Sequence, residues 1–160
     1  MRYNEATTNC DLLGGMIMIS FGQRDDALEY KKREGAYGII KNSEGLFLVV
    51  KDVDGNFYLI GGGIEEGEEP AEALSREAIE ETGHKIRINE WIGIAENHWV
   101  SEKYPEWSQH NIGVFYHCDL LEQVALPTEI EPMLWVTLSD LEKHLFHKHQ
   151  LYMVKQSLKS

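Results

Sequence analysis

Residues 62–84 read GGIEEGEEPAEALSREAIEETGH, and no other stretch of the chain constrains it as much. Glu77, Glu80 and Glu81 stand at i, i+3 and i+4, so in a helix their carboxylates share one face. Like charges at that spacing cost roughly 0.2–0.5 kcal/mol per pair in an isolated helix. A segment that needed only to be helical gains nothing from stacking them. Hard oxygen donors on one face suit a divalent ion such as Mg²⁺ or Mn²⁺, and such an ion points towards phosphate chemistry.

The helix is legible from its own residues. Pro70 fits the first turn, where its missing N–H is no loss and its φ is already helical. Glu68, Glu69 and Glu72 put negative charge near the N-terminus, where the macrodipole favours it. Ala71, Leu74, Ala78 and Thr82 form an apolar stripe that can pack on a sheet, offset from the acidic one. Gly83 is the expected left-handed stop. An ordinary charged surface helix is the plainer reading, with Arg76 paired to Glu72 or Glu80, but one arginine cannot neutralise this many acids.

The segment resembles the Nudix box, G-x5-E-x7-R-E-U-x-E-E-x-G-U, with U an aliphatic residue. Gly62, Glu68, Arg76, Glu77, Glu80, Glu81 and Gly83 fill every fixed position. Ala78 and His84 occupy the two aliphatic positions, and the second is a departure that bears on packing after the helix. Ile60 stands where many members have proline. The resemblance covers roughly residues 26–158.

That resemblance implies an α/β/α sandwich and hydrolysis of a diphosphate bond in a small nucleotide or nucleoside diphosphate derivative, with water attacking phosphorus. It implies metal ligation of Mg²⁺ or Mn²⁺ by Glu77, Glu80 and Glu81, with the carbonyl of Gly61 as a further donor. Arg76 is expected to hold Glu77 or Glu80 in its rotamer. Glu68 is expected to buttress the junction of loop and helix, and Gly62 and Gly63 to bring backbone close to the phosphates. The general base stays open among Glu80 and Glu77 within the box and Glu102, Glu106, Glu129 and Glu131 outside it. Glu131, four residues before Trp135, sits near where such a residue often falls in the family.

Composition excludes several alternatives. Fifteen Lys and Arg against 27 Asp and Glu give a net charge of −12, and a chain that held long RNA or DNA would need a basic stripe. The densest basic run, Lys31-Lys32-Arg33, reads as a solvated strand edge. A small phosphorylated partner remains compatible, because an ion supplies positive charge locally. Cys10 and Cys118 make no disulfide framework, so a cytoplasmic setting is the expectation. No run of 18 apolar residues exists to span a membrane. Residues 1–20 read as an N-terminal extension ahead of a single domain over 21–160, and their apolar patches could cross to a second copy in a homodimer.

Strands are expected at 28–32, 36–41, 46–51, 57–60, about 86–97, 111–120 and 134–138. The last helical region is expected over about 140–158, with Ser139 as N-cap and Glu142 as its capping-box partner. Such an order of strands around a central helix indicates an α/β/α sandwich without the family. Trp99, Tyr104 and Trp107 flank or occupy the polar loop 100–109 and are candidates for stacking a nucleobase, a contact worth roughly 1–3 kcal/mol per base. Trp91 and Trp135 are expected in the core. His144, His147 and His149 read as solvated surface rather than a zinc site, and His98, His110 and His117 as able to line a cleft. A Nudix-fold module that senses a nucleotide without turnover is the main alternative, and an acidic docking surface a third.

Overall fold

The computed structural model describes residues 11–13 and 16–159, with side chains from Met18 onward. Among the described residues, eight strands and three helices follow one another: β1 (Asp11–Leu13), β2 (Met16–Phe21), β3 (Glu29–Ile40), β4 (Phe47–Lys51), β5 (Phe57–Gly63), α1 (Pro70–Thr82), β6 (His84–Trp99), β7 (Trp107–Gln123), β8 (Met133–Val136), α2 (Leu138–His144) and α3 (Lys148–Ser157). The strands lie in the order β1-β2-β6-β7-β3-β5-β4-β8. The sheet is mixed: β3 runs parallel to β7 from Glu29 beside Trp107 to Ile40 beside Cys118, whereas β5 and β6 pair antiparallel to β3 and β7 respectively. Part of the 1–20 segment lies outside the described residues; within it, β2 pairs parallel to β6 at Ile19–Ala95.

Helices cover both faces, so central strands are apolar on both sides. Alternate residues of β3, β4 and β5 therefore feed different cores. Ala36, Ile40, Leu48, Val50 and Ile60 pack with Leu74 and Ala78 of α1. Ile39, Phe47, Val49, Phe57 and Leu59 pack on the opposite face with Leu141, Leu145, Met153 and Val154. The result is the α/β/α sandwich that the element order implied.

Several details depart from the expected ones. The two strands expected at 28–32 and 36–41 are one strand, because parallel pairing with β7 carries it through the polar Arg33-Glu34-Gly35. The last helical region is two helices rather than one. The chain leaves α2 at Leu145, in extended conformation, and the Phe146 N–H bonds to the Phe57 carbonyl at 3.0 Å. The cap of α2 is Thr137 rather than Ser139: its hydroxyl accepts from Asp140 N–H, and the Asp140 carboxylate accepts from Thr137 N–H. Trp91 is 46% exposed rather than core, since the register shifts between Ile88, Trp91 and Gly93 turn it outward. His149 is fully buried and His147 half-buried, so only His144 is a surface histidine of that group.

Candidate active site

The acidic helix is locked to the sheet by the strand before it and by its own end. Leu74 and Ala78 are completely buried against β3, β4 and β5. Gly83 closes the helix at φ 74°, with its N–H bonded to the Ile79 carbonyl at 2.8 Å. A Cβ there would meet the Ala125 carbonyl oxygen at 2.2 Å, so the residues after β7 cross directly over the helix end. That crossing is fixed: the Glu80 carbonyl accepts from the N–H groups of Thr128 (2.9 Å) and Glu129 (3.2 Å). Sequence distance thus becomes proximity, and Glu129 arrives beside α1.

Glu77, Glu80 and Glu129 each bring a carboxylate oxygen within 4.8 Å of the other two. Burial first, and then the neighbouring charges of Glu80 and Glu129, push the Glu77 carboxyl above its usual range despite the Arg76 hydrogen bond. Glu129 is raised likewise by burial, Glu131 and Glu80. Glu81 points inward and is only 6% exposed. Its Oε1 accepts the Gly61 N–H at 2.8 Å, and burial raises its carboxyl well above the ordinary value against that bond.

Arg76 is the cation among these acids. Its Nε and one terminal nitrogen grip both oxygens of Glu68 at 2.8 and 2.9 Å, while the other terminal nitrogen reaches Glu77 at 3.1 Å and Glu80 at 3.3 Å. The same guanidinium donates to the Gly63 carbonyl at 3.0 Å. Glu68 in turn accepts the Glu65 N–H at 2.8 Å, and so ties the loop to the helix. Gly61 and Gly62 allow the close approach. A Cβ on Gly61 (φ 140°) would lie 2.1 Å from the Ala36 carbonyl oxygen, and one on Gly62 would lie 2.6 Å from the Glu77 carboxyl carbon.

A cleft of about 300 Å³ opens beside these residues, lined by Gly61, Gly62, Glu81 and Glu131 together with Tyr37, Asp52, Tyr58, His147 and Gln150. Tyr58 donates to Asp52 at 3.0 Å, and burial with that bond holds its hydroxyl protonated. The Tyr37 hydroxyl is pushed up to about 12 by burial and then by Glu81. Burial alone lowers His147 to about 4, so its ring is a neutral wall. The Gln150 side chain accepts from Leu59 N–H at 3.0 Å.

Profile comparison matches residues 31–156 to the NUDIX domain. The chain belongs to the NUDIX domain family. A solved NUDIX hydrolase from Nitrosomonas europaea is 18% identical, with TM-score 0.65, over 81% of this chain and 90% of that one. A MutT protein from Methanosarcina mazei Go1 is 20% identical with TM-score 0.63, over 82% and 97%. A C. elegans Ap4A hydrolase is 17% identical with TM-score 0.61, over 79% and 96%. Likeness at such identities shows a shared fold. No curated protein sequence matches the chain. By family and by the fixed positions of its box, all of them filled, the chain is a Nudix hydrolase in class.

The residues singled out in the sequence do not all converge. Glu77 and Glu80 meet Glu129, Glu81 and Gly61 lie on the cleft side, and Glu131 is on the cleft wall. Glu102 and Glu106 are exposed on the loop between β6 and β7. Tyr104 and Trp107 stack on each other at 4.6 Å, with Lys103 over the first ring and Lys31 over the second, and neither lines the cleft. Trp99 lies behind it, edge-on to His147 at 5.1 Å and to Phe146 at 5.3 Å. His98, His110 and His117 do not line it. The aromatic wall instead comes from Tyr37, Tyr58 and His147, which no local pattern in the sequence marks.

Among the described residues, no helix is long and apolar enough to cross a membrane.

Proposed function

We propose that this Nudix protein performs divalent-metal-dependent hydrolysis of a diphosphate bond in a small nucleotide or nucleoside diphosphate derivative. The observation that carries the reading is the convergence of Glu77, Glu80 and Glu129 within 4.8 Å beside an open cleft. The donor set fits a hard ion. The side chains of Glu77 and Glu80 are partly covered, both take hydrogen bonds from the single Arg76, and their crowding leaves negative charge that a cation would neutralise. Glu77, Glu80 and Glu129 would hold Mg²⁺ or Mn²⁺, with the free oxygen of Glu81 and the Gly61 carbonyl beside them. When bound, the ion supplies charge neutralisation on diphosphate oxygens and a more acidic water.

The chain's own residues do the rest. Arg76 fixes the rotamers of Glu77 and Glu80 while Glu68 fixes Arg76, so the carboxylates are aimed before substrate arrives. Gly62 and Gly63 present backbone without side-chain bulk where phosphates would pass. Tyr58 and His147 offer ring faces and edges for a base or sugar, and Trp99 backs His147 rather than touching substrate. Glu131, on the cleft wall, takes the proton of the attacking water as oxygen bonds to phosphorus and the bridging P–O bond breaks. A positioned general base is worth about 10²–10⁴ in rate, so Glu131→Gln should lower kcat by that order while leaving metal affinity intact. An unchanged kcat would return the role to Glu80 or Glu77.

The related structures carry the names MutT, Ap4A hydrolase and ADP-ribose pyrophosphatase. Nucleoside triphosphates, dinucleoside polyphosphates and nucleotide sugars are therefore the panel to test, with Mg²⁺ or Mn²⁺. Turnover of one class would name the substrate. Tight binding of a panel member without turnover would make the protein a sensing module.

A further inference from the structure

On the face of the sheet that carries α1, β6 and β7 hold a second group of metal-ligating side chains that shares no residue with the acidic helix. His98 and His110 face each other in register across β6 and β7, and Glu96 lies two residues from His98 on the same side of its strand. One donor atom from each of the three lies within 4.8 Å of the other two. We propose that Glu96, His98 and His110 form a separate site for a borderline divalent ion of the zinc class.

Two imidazole nitrogens and one carboxylate oxygen are donors for Zn²⁺ and its neighbours, whereas Mg²⁺ prefers oxygen alone. Three protein ligands also leave a coordination position open to water. The supporting shell is already built. Glu96 Oε2 lies 2.6 Å from His110 Nε2, with the two side chains 8% and 14% exposed. The other nitrogen of His110 lies 2.6 Å from the Tyr30 hydroxyl. For Nε2 to ligate, Nδ1–H must donate to the Tyr30 oxygen, and this second bond orients the ring as outer partners of ligating histidines do. Arg24 lies over the Tyr30 ring at 4.3 Å and steadies it.

A hydrogen-bonded chain from Tyr30 through His110 to Glu96 would account for those three residues but leaves His98 unexplained. His98 Nδ1 is buried and has no hydrogen-bond partner, a condition that buried polar atoms rarely tolerate. Its ring stacks on His110 at 4.1 Å and 14°. In-plane lone pairs on rings so nearly parallel run side by side, so a shared ion must tilt the rings apart. Binding therefore has a signature of its own, loss of the mutual ring-current shift.

The test is a Zn²⁺ titration of the full chain in excess Mg²⁺, followed by long-range ¹H–¹⁵N spectra of the imidazoles. It is paired with metal analysis after desalting. Expected are shifts at His98 and His110, with one zinc retained per chain by the wild type and by Glu80→Gln. Affinity should fall about 100-fold or more in His98→Ala and Glu96→Gln. Zinc that is lost with Glu80→Gln, or imidazole resonances that stay in place, would overturn the site. If a variant fails to fold, the wild-type spectra decide the matter alone.

Discussion

Replacing His149 by leucine should make the protein more resistant to acid, by an amount the structure sets. His149 is fully buried in α3, edge-on to Tyr37 and Phe115, and neither ring nitrogen has a hydrogen-bond partner. Burial, and then the neighbouring His147, lower its pKa from 6.5 to about 3. A histidine kept neutral in the fold but free to protonate when unfolded makes the unfolded state bind more protons. Stability is then full above pH 6.5 and falls as pH drops towards the folded value. The slope approaches about 1.4 kcal/mol per pH unit once the unfolded histidine is fully charged, so between pH 6.5 and 4.5 His149 accounts for about 2.3 kcal/mol of lost stability. Leucine is near enough in volume to fill the site and removes two unsatisfied polar atoms, each costing about 1–3 kcal/mol when buried. The buried glutamates titrate in the opposite sense, but they are common to both proteins and cancel in the difference. Urea unfolding of wild type and His149→Leu from pH 8 to 4.5 measures that difference directly. The variant should be at least as stable at pH 8 and should gain steadily on the wild type below pH 6.5. Parallel curves would show that His149 is not held neutral in the fold.

Other consequences are smaller in scope. Gly62→Ala brings a Cβ within 2.9 Å of the Glu77 carboxylate, and because that side chain can swing away, the fold should survive while Mn²⁺ affinity drops about 10–100-fold by titration calorimetry. Arg76→Lys keeps the charge but loses the two-pronged grip on Glu68, and a drop in kcat of about the same 10–100-fold is expected with KM little changed. Thr137→Ala removes the cap of α2 and should lower stability by about 1 kcal/mol in chemical denaturation without touching turnover.

What was legible in the sequence is what is local. Helix α1 spans Pro70–Thr82 with Gly83 as its stop, as its proline, spacing and glycine indicated, because each of those signals acts within one or two turns. The orientation of Glu81 was not legible. Its spacing groups it with Glu77 and Glu80, yet it sits beside the apolar stripe, and the Gly61 N–H draws its carboxylate inward. Glu129 and Glu131 could not be separated in the sequence either. Their places depend on bonds from the 124–129 segment to Gly83 and Glu80, which span more than 40 positions. The aromatic wall fails to show for the same reason. Tyr37, Tyr58 and His147 come from β3, β5 and the α2–α3 junction; pairing of β3 with β5 and the bond from Phe146 N–H to the Phe57 carbonyl bring them together. Trp107 reads as a loop aromatic in the sequence because β7 begins earlier than its apolar pattern, where parallel pairing with polar residues of β3 extends it.

On the proposed function, carboxylates on α1 hold the ion on which hydrolysis depends. Glu80 tests it best. Its side chain is 39% exposed, so Glu80→Gln removes charge without disturbing the fold, whereas Glu81→Gln would also strain the bond to Gly61. Mn²⁺ binding and substrate turnover should be measured on the same preparations of wild type and Glu80→Gln. The wild type should bind Mn²⁺ and turn over only with it, and both properties should fall together in the variant by about 10-fold or more. Turnover that survives chelation, or a variant with wild-type turnover and weakened Mn²⁺ binding, would contradict it.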